Sequence, residues 1–121
     1  MSIRTSTNTR IGAIQYTDHG GVHIRVYCQG KLRLPLKRHP SVEYPKGAGS
    51  RTILELCNDG HWFKGSLDLP NALGGTSIAA VAYNGGNQTQ IRVYYQAEDL
   101  SLMEHCHDKN GWYPGGFVCA V

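Results

Sequence analysis

Val22-His-Ile-Arg-Val-Tyr-Cys-Gln29 returns later in the chain as Thr89-Gln-Ile-Arg-Val-Tyr-Tyr-Gln96, and this repetition decides the fold. Side chains alternate across a strand, so Ile24, Val26 and Cys28 face one way while Arg25 and Tyr27 face the other. Arg92 and Tyr94 repeat that choice in the second copy. The stretch predicts a β-strand that is used twice.

The similarity extends outward on both sides. Upstream, Ile11-Gly-Ala-Ile-Gln-Tyr16 matches Ile78-Ala-Ala-Val-Ala-Tyr83, and both matched pairs share one offset of 67 positions. Downstream, Ile53-Leu-Glu-Leu-Cys-Asn-Asp-Gly-His-Trp-Phe-Lys-Gly65 matches Leu102-Met-Glu-His-Cys-His-Asp-Lys-Asn-Gly-Trp-Tyr-Pro-Gly115. Each unit reads as three strands separated by turns, then a Trp-containing turn and a short closing segment. That is a four-stranded antiparallel blade, with Gly20-Gly21 and Gly85-Gly86 where the first two strands must reverse. The predicted units span residues 10–73 and 76–121.

The units differ in one respect. Arg92 precedes Glu104 by 12 residues, whereas Arg25 precedes Glu55 by 30, so the first unit carries about 18 extra residues at roughly 31–50. This segment reads equally as a loop insertion or as a decayed partial blade, because Leu32-Arg-Leu-Pro-Leu36 and Tyr44-Pro-Lys-Gly47 faintly echo Leu100-Ser-Leu-Met103 and Tyr113-Pro-Gly-Gly116.

Composition fits an all-β chain. Fifteen glycines and five prolines punctuate short apolar runs, and 17% charged residues with 40% hydrophobic ones are ordinary for a globular domain of 121 residues. The net charge of +3 reflects in part Lys31, Arg33, Lys37 and Arg38, and with no nucleic-acid-reading motif beside them they read as a solvated edge. The polar Met1 to Arg10 stretch lacks the apolar core of a secretory signal, and no run is long enough to cross a membrane. The expectation is a soluble, leaderless chain that inserts in no membrane and binds no nucleic acid. Cys28, Cys57, Cys106 and Cys119 read as small buried thiols.

Two blades leave both outer faces unpacked, and propellers close radially with about four to eight blades. The chain is therefore expected to assemble with copies of itself, most simply as a homotrimer giving a six-bladed ring. The alternative is a propeller fragment that serves as a structural or protein-interaction module.

Each unit places one Arg and one Glu on adjacent strands and a Trp shortly after: Arg25, Glu55 and Trp62, then Arg92, Glu104 and Trp112. Arg offers fixed donors and Glu offers acceptors, so together they can bracket vicinal hydroxyls, and Trp supplies a platform for the C–H face of a pyranose. A neutral sugar suits this set. The plainer reading is a cross-strand ion pair with a core Trp, and recurrence of all three residue types in order argues against it.

Other chemistry has less support. Cys57 with His61, and His105-Cys106-His107 with Cys119, resemble metal ligands only superficially, because alternation turns Cys106 away from its neighbours and no standard zinc spacing is present. Glu55 with Asp59 and Glu104 with Asp108 are the repeated carboxylate pairs. Four positions along a strand separate such pairs by roughly 13 Å, beyond the approximately 5–9.5 Å that glycosidases use. Neither catalysis, nor a metal, nor any other cofactor is expected.

The three blocks, Ile-Arg-Val-Tyr, Glu-x-Cys-x-Asp and Gly-Trp-Tyr-x-Gly-Gly-Phe, resemble the fucose-specific lectin family of the Aleuria aurantia lectin type, which has a two-blade bacterial relative in Ralstonia. The resemblance covers residues 10–29 and 52–117. It implies a six-bladed β-propeller that binds L-fucose and fucosylated glycans or glycoproteins without metal, in pockets that take Arg and Glu from one blade and Trp from the next. Carried over, one pocket would use Arg25 and Glu55 with Trp112, and the other Arg92 and Glu104 with Trp62 of a neighbouring subunit. Asn58 and His107 stand where family members often have an aromatic residue, and would form the edge of each pocket. If residues 31–50 are a decayed blade, Arg25 and Glu55 fall on different blades and the Arg92 pocket becomes the firmer expectation.

Overall fold

The computed structural model describes residues 2–5, 10–33 and 51–119. Nine strands run through them: β1 (Ser2–Thr5), β2 (Ile11–Asp18), β3 (Gly21–Arg33), β4 (Ile53–Asn58), β5 (Trp62–Leu69), β6 (Ala79–Gly85), β7 (Gln88–Gln96), β8 (Leu102–Asp108) and β9 (Gly111–Cys119). They form two antiparallel sheets. The second is the four-stranded blade β6-β7-β8-β9. The first has the same meander, β2-β3-β4-β5, with β1 added against the far end of β3.

Strand pairing follows the repeat. Ile14 lies opposite Arg25 just as Val81 lies opposite Arg92, and Arg25 lies opposite Cys57 just as Arg92 lies opposite Cys106. The reversal between β6 and β7 falls on Gly86 and Asn87, both with positive φ (63° and 67°). Consecutive left-handed residues make the tight hairpin whose twist matches the strands, and Gly or Asn adopts it at least cost.

Three details depart from the sequence reading. β1 is an extra strand, so the first sheet has five strands and not four. β3 continues through Lys31 to Arg33, so the start of the extra segment is strand paired with β1, while residues 34–50 lie outside the described residues. Both tryptophans sit in strands and not on turns: Trp62 pairs with Asn58 and Trp112 with His107, and β5 and β9 are full-length strands.

The core lies between the sheets. From the first come Tyr27, Ile53 and Leu67, on the face that also carries Arg25, and from the second come Ile91, Val93 and Tyr95, on the face away from Arg92. Alternation thus gives each sheet a front bearing its Arg and a back, and the front of the first packs on the back of the second. Burying each large apolar side chain here contributes on the order of 1.5–3 kcal/mol.

Gln29 clasps the connection between the sheets. Fully buried, it donates to the carbonyls of Arg51 (3.0 Å) and Leu73 (2.9 Å) and accepts from Gly75 N–H (2.8 Å). Gln29→Ala orphans these three backbone groups and should lower stability by about 2–4 kcal/mol, read as a drop in the urea midpoint at unchanged slope.

Candidate functional site

Arg25 and Glu55 stand on neighbouring strands of one sheet, because β3 and β4 hydrogen-bond directly in register. Tyr27, opposite Glu55, donates its hydroxyl to Glu55 Oε2 at 3.1 Å, and Arg25 Nε lies 4.0 Å from that oxygen. Glu55 is 4% exposed, and Tyr27 and Arg25 are the donors that face its carboxylate. Burial beside Glu55 also pushes the Tyr27 hydroxyl far above its ordinary range and the Cys57 thiol up to about 12, so both stay protonated.

The buried carboxylate needs an irregular partner strand. Register between β4 and β5 shifts between Leu54 and Leu56, which leaves residues 65–67 opposite Glu55. A Cβ on Gly65 would sit 2.6 Å from Glu55 Cδ. The second sheet repeats the arrangement: the register shifts between Met103 and His105, a Cβ on Gly115 would lie 2.7 Å from Glu104 Cδ, and Tyr94 donates to Glu104 Oε2 at 2.8 Å. Each bulge with its glycine makes room for a Glu to lie over the sheet.

Trp112 comes to the first site from the second sheet. Its indole meets the Tyr27 ring edge-on at 6.1 Å, His107 packs against it at 5.0 Å, and its Nε1 is buried with no hydrogen-bond partner among the described residues. His107 lies within electrostatic reach of Glu55 and Arg25, and burial holds its pKa below the ordinary imidazole value. The three residues expected together, Arg25, Glu55 and Trp112, therefore meet between the sheets, and of the two expected edge residues it is His107 that joins them. Towards the hairpin ends the space widens into a cleft of about 1200 Å³ whose wall includes Tyr16, His23, Gln88, His107 and Asp108.

The second set is only half assembled. Arg92 lies over the Tyr83 ring at 5.4 Å and donates to the Ile91 carbonyl at 3.0 Å, on the same open face as Glu104. Trp62 and Asn58, opposite each other on the back of the first sheet, do not reach it within one chain, and Trp62 is 47% exposed.

Sequence reasoning missed the partners of the Arg. Asp59, just after β4, accepts from Arg25 Nη1 at 2.7 Å and Nη2 at 3.3 Å, and Tyr16 OH accepts from Nη2 at 2.9 Å. The guanidinium beside Asp59 holds its carboxyl below the usual carboxylate range. The signal was present in the repeat, since Tyr16 and Tyr83, Tyr27 and Tyr94, Asp59 and Asp108, and Gly65 and Gly115 recur at matched positions.

Comparison with known proteins identifies the family and the fold. Residues 44–120 match the family model described as fungal fucose-specific lectin. A fucose-specific lectin of Aleuria aurantia is 32% identical over all of this chain, which covers 33% of that protein. The crystal structure of the Aleuria aurantia lectin, a six-bladed β-propeller with its own mode of fucose recognition, superposes with a TM-score of 0.70 at 30% identity over 98% of this chain and 32% of that one. A fucose lectin from Kordia zhangzhouensis, solved with methyl-fucoside, gives a TM-score of 0.66 at 28% identity over 90% of this chain and 65% of that one. The chain spans about a third of the length of the curated relatives it matches.

Proposed function

Because this chain belongs to the fungal fucose-specific lectin family, we propose that it is a lectin that binds L-fucose and fucosylated glycans between adjacent blades, without catalysis. The observation that carries this reading is the convergence of the buried Glu55, the Arg25 guanidinium and the Trp112 indole, which meets the Tyr27 ring whose hydroxyl donates to Glu55. The indole offers a platform for the C–H face of a pyranose, while Glu55 and Arg25 take its hydroxyls. Nothing in the set is arranged to activate a water or hold a nucleophile, since Glu55 is engaged by Tyr27 and Asp59 by Arg25.

The second set becomes a pocket of the same kind if another copy supplies Trp62 and Asn58. Support comes from the repeat itself. Leu67 is 1% exposed under the second sheet, while Phe117 at the matching position of that sheet is 47% exposed. The front of the second sheet thus presents what the front of the first buries. A second copy docked back to front would cover it as the second sheet covers the first, and three copies would close six blades. Multivalent binding of fucosylated surfaces follows from such a ring.

Calorimetric titration with L-fucose tests the reading. Two sites per chain are expected, and Arg25→Ala or Arg92→Ala should each weaken one of them by about 10- to 100-fold, the equivalent of one charge-assisted hydrogen bond of roughly 1.5–3 kcal/mol. Unchanged titrations from folded variants would overturn it.

A further inference from the structure

The two Arg residues are held differently, and the difference centres on His23. Its ring lies against that of Tyr16 at 4.8 Å, with Nδ1 2.6 Å from Asp59 Oδ1 and Nε2 2.7 Å from Asp18 Oδ1. A neutral imidazole has one N–H and one lone pair, so it satisfies one carboxylate and turns its lone pair on the other. Only the imidazolium serves both.

Asp59 is the same carboxylate that grips Arg25, so the four side chains form one line, Asp18, His23, Asp59 and Arg25. In the second unit Gln90 stands at the His23 position and its Oε1 takes a long hydrogen bond from Arg92 Nη1 directly, at 3.4 Å. Gly85 replaces Asp18 there, and Asp108, matching Asp59, accepts from the backbone N–H of Asn110 (2.7 Å). The second Arg has a neighbour that does not titrate.

We infer that His23 is a positioning residue for Arg25: as an imidazolium between Asp18 and Asp59 it fixes the carboxylate that fixes the guanidinium, so sugar affinity at this site alone falls when His23 loses its proton. This rests on Arg25 being a sugar ligand.

The sign follows from the groups that face His23. On its own sheet these are Asp18, Asp59, Tyr16 and, through Asp59, Arg25, with His19 beside Asp18; across the cleft are His107, Asp108 and Lys109. The hydrogen bonds to Asp59 and then Asp18 raise the pKa of His23 above 6.5, while His23 lowers Asp18, and Arg25 first and then His23 lower Asp59, so that both carboxyls lie below 3.8. A group with a raised folded pKa contributes fully below its unfolded value and is lost as pH rises through the folded one. The line is therefore intact between about pH 4 and 6.5 and opens above that. His107, held below 6.5 by burial, stays neutral through the opening and does not confuse it.

The experiment is a fucose titration of the full chain from pH 6 to 9.5 with His23 followed by ¹H–¹⁵N NMR. In Arg92→Ala, where the first site remains, affinity should weaken about tenfold, roughly the strength of one charge-assisted hydrogen bond, with a midpoint that coincides with the His23 titration. In Arg25→Ala, where the second site remains, and in Arg92→Ala/His23→Gln, affinity should not vary with pH. An Arg92→Ala profile that stays flat while His23 titrates overturns the inference and leaves the site reading intact. Affinity left unweakened in Arg25→Ala/Arg92→Ala overturns the site reading itself.

Discussion

Gly65→Ala and Gly115→Ala should each cost the facing sugar site about 100-fold in affinity while leaving the sheet folded. The added methyl falls 2.6 Å from Glu55 Cδ or 2.7 Å from Glu104 Cδ, far inside van der Waals contact. What it meets is a long side chain from Cγ outward and not backbone, so the Glu swings out and the strands need not part. Glu55 then loses its geometry with Tyr27 and Arg25, and the sugar loses an acceptor worth about 1.5–3 kcal/mol together with the order of the Arg beside it. Titration calorimetry reads the loss, and circular dichroism checks the fold. A folded Gly65→Ala chain that keeps full affinity at the Arg25 site would show that Glu55 supports the sheet and touches no sugar.

The glycines illustrate what the sequence could and could not convey. The blade was legible because the chain writes it twice: pairs at a constant offset have to occupy equivalent places, and alternation then puts Arg25 with Tyr27 and Arg92 with Tyr94 without any coordinates. β1 was not legible, since Ser2–Thr5 is polar and becomes strand only by pairing with the overhang of β3, a context that local propensity does not contain. The role of Asp59 was hidden for a related reason. Counting four extended residues from Glu55 carries Asp59 away from the site, but Ile24 pairs with Asn58, so Asp59 arrives beside His23 and in reach of Arg25. Nor did spacing disclose which set of residues one chain brings together. The 30-residue gap between Arg25 and Glu55 cast doubt on the first pocket, yet β3 and β4 pair directly, and it is the Arg92 set whose Trp lies elsewhere.

Ile11→Glu should convert the proposed trimer into single chains. Ile11 lies on the back of the first sheet, 62% exposed, while Ile78 at the matching position of the second sheet is 8% exposed in the core between the sheets. In a back-to-front ring Ile11 enters the environment that Ile78 already occupies. An unpaired carboxylate there costs several kcal/mol after desolvation, and the ring contains three such interfaces. The isolated chain, in which position 11 faces water, should fold as before. Light scattering should give three times the chain mass for the wild type and one for the variant. Fucose titration of the variant should retain the Arg25 site, which one chain completes, and lose the Arg92 site, which needs the neighbour's Trp62. A variant that stays trimeric, or a monomeric wild type with both sites occupied, would refute the back-to-front ring.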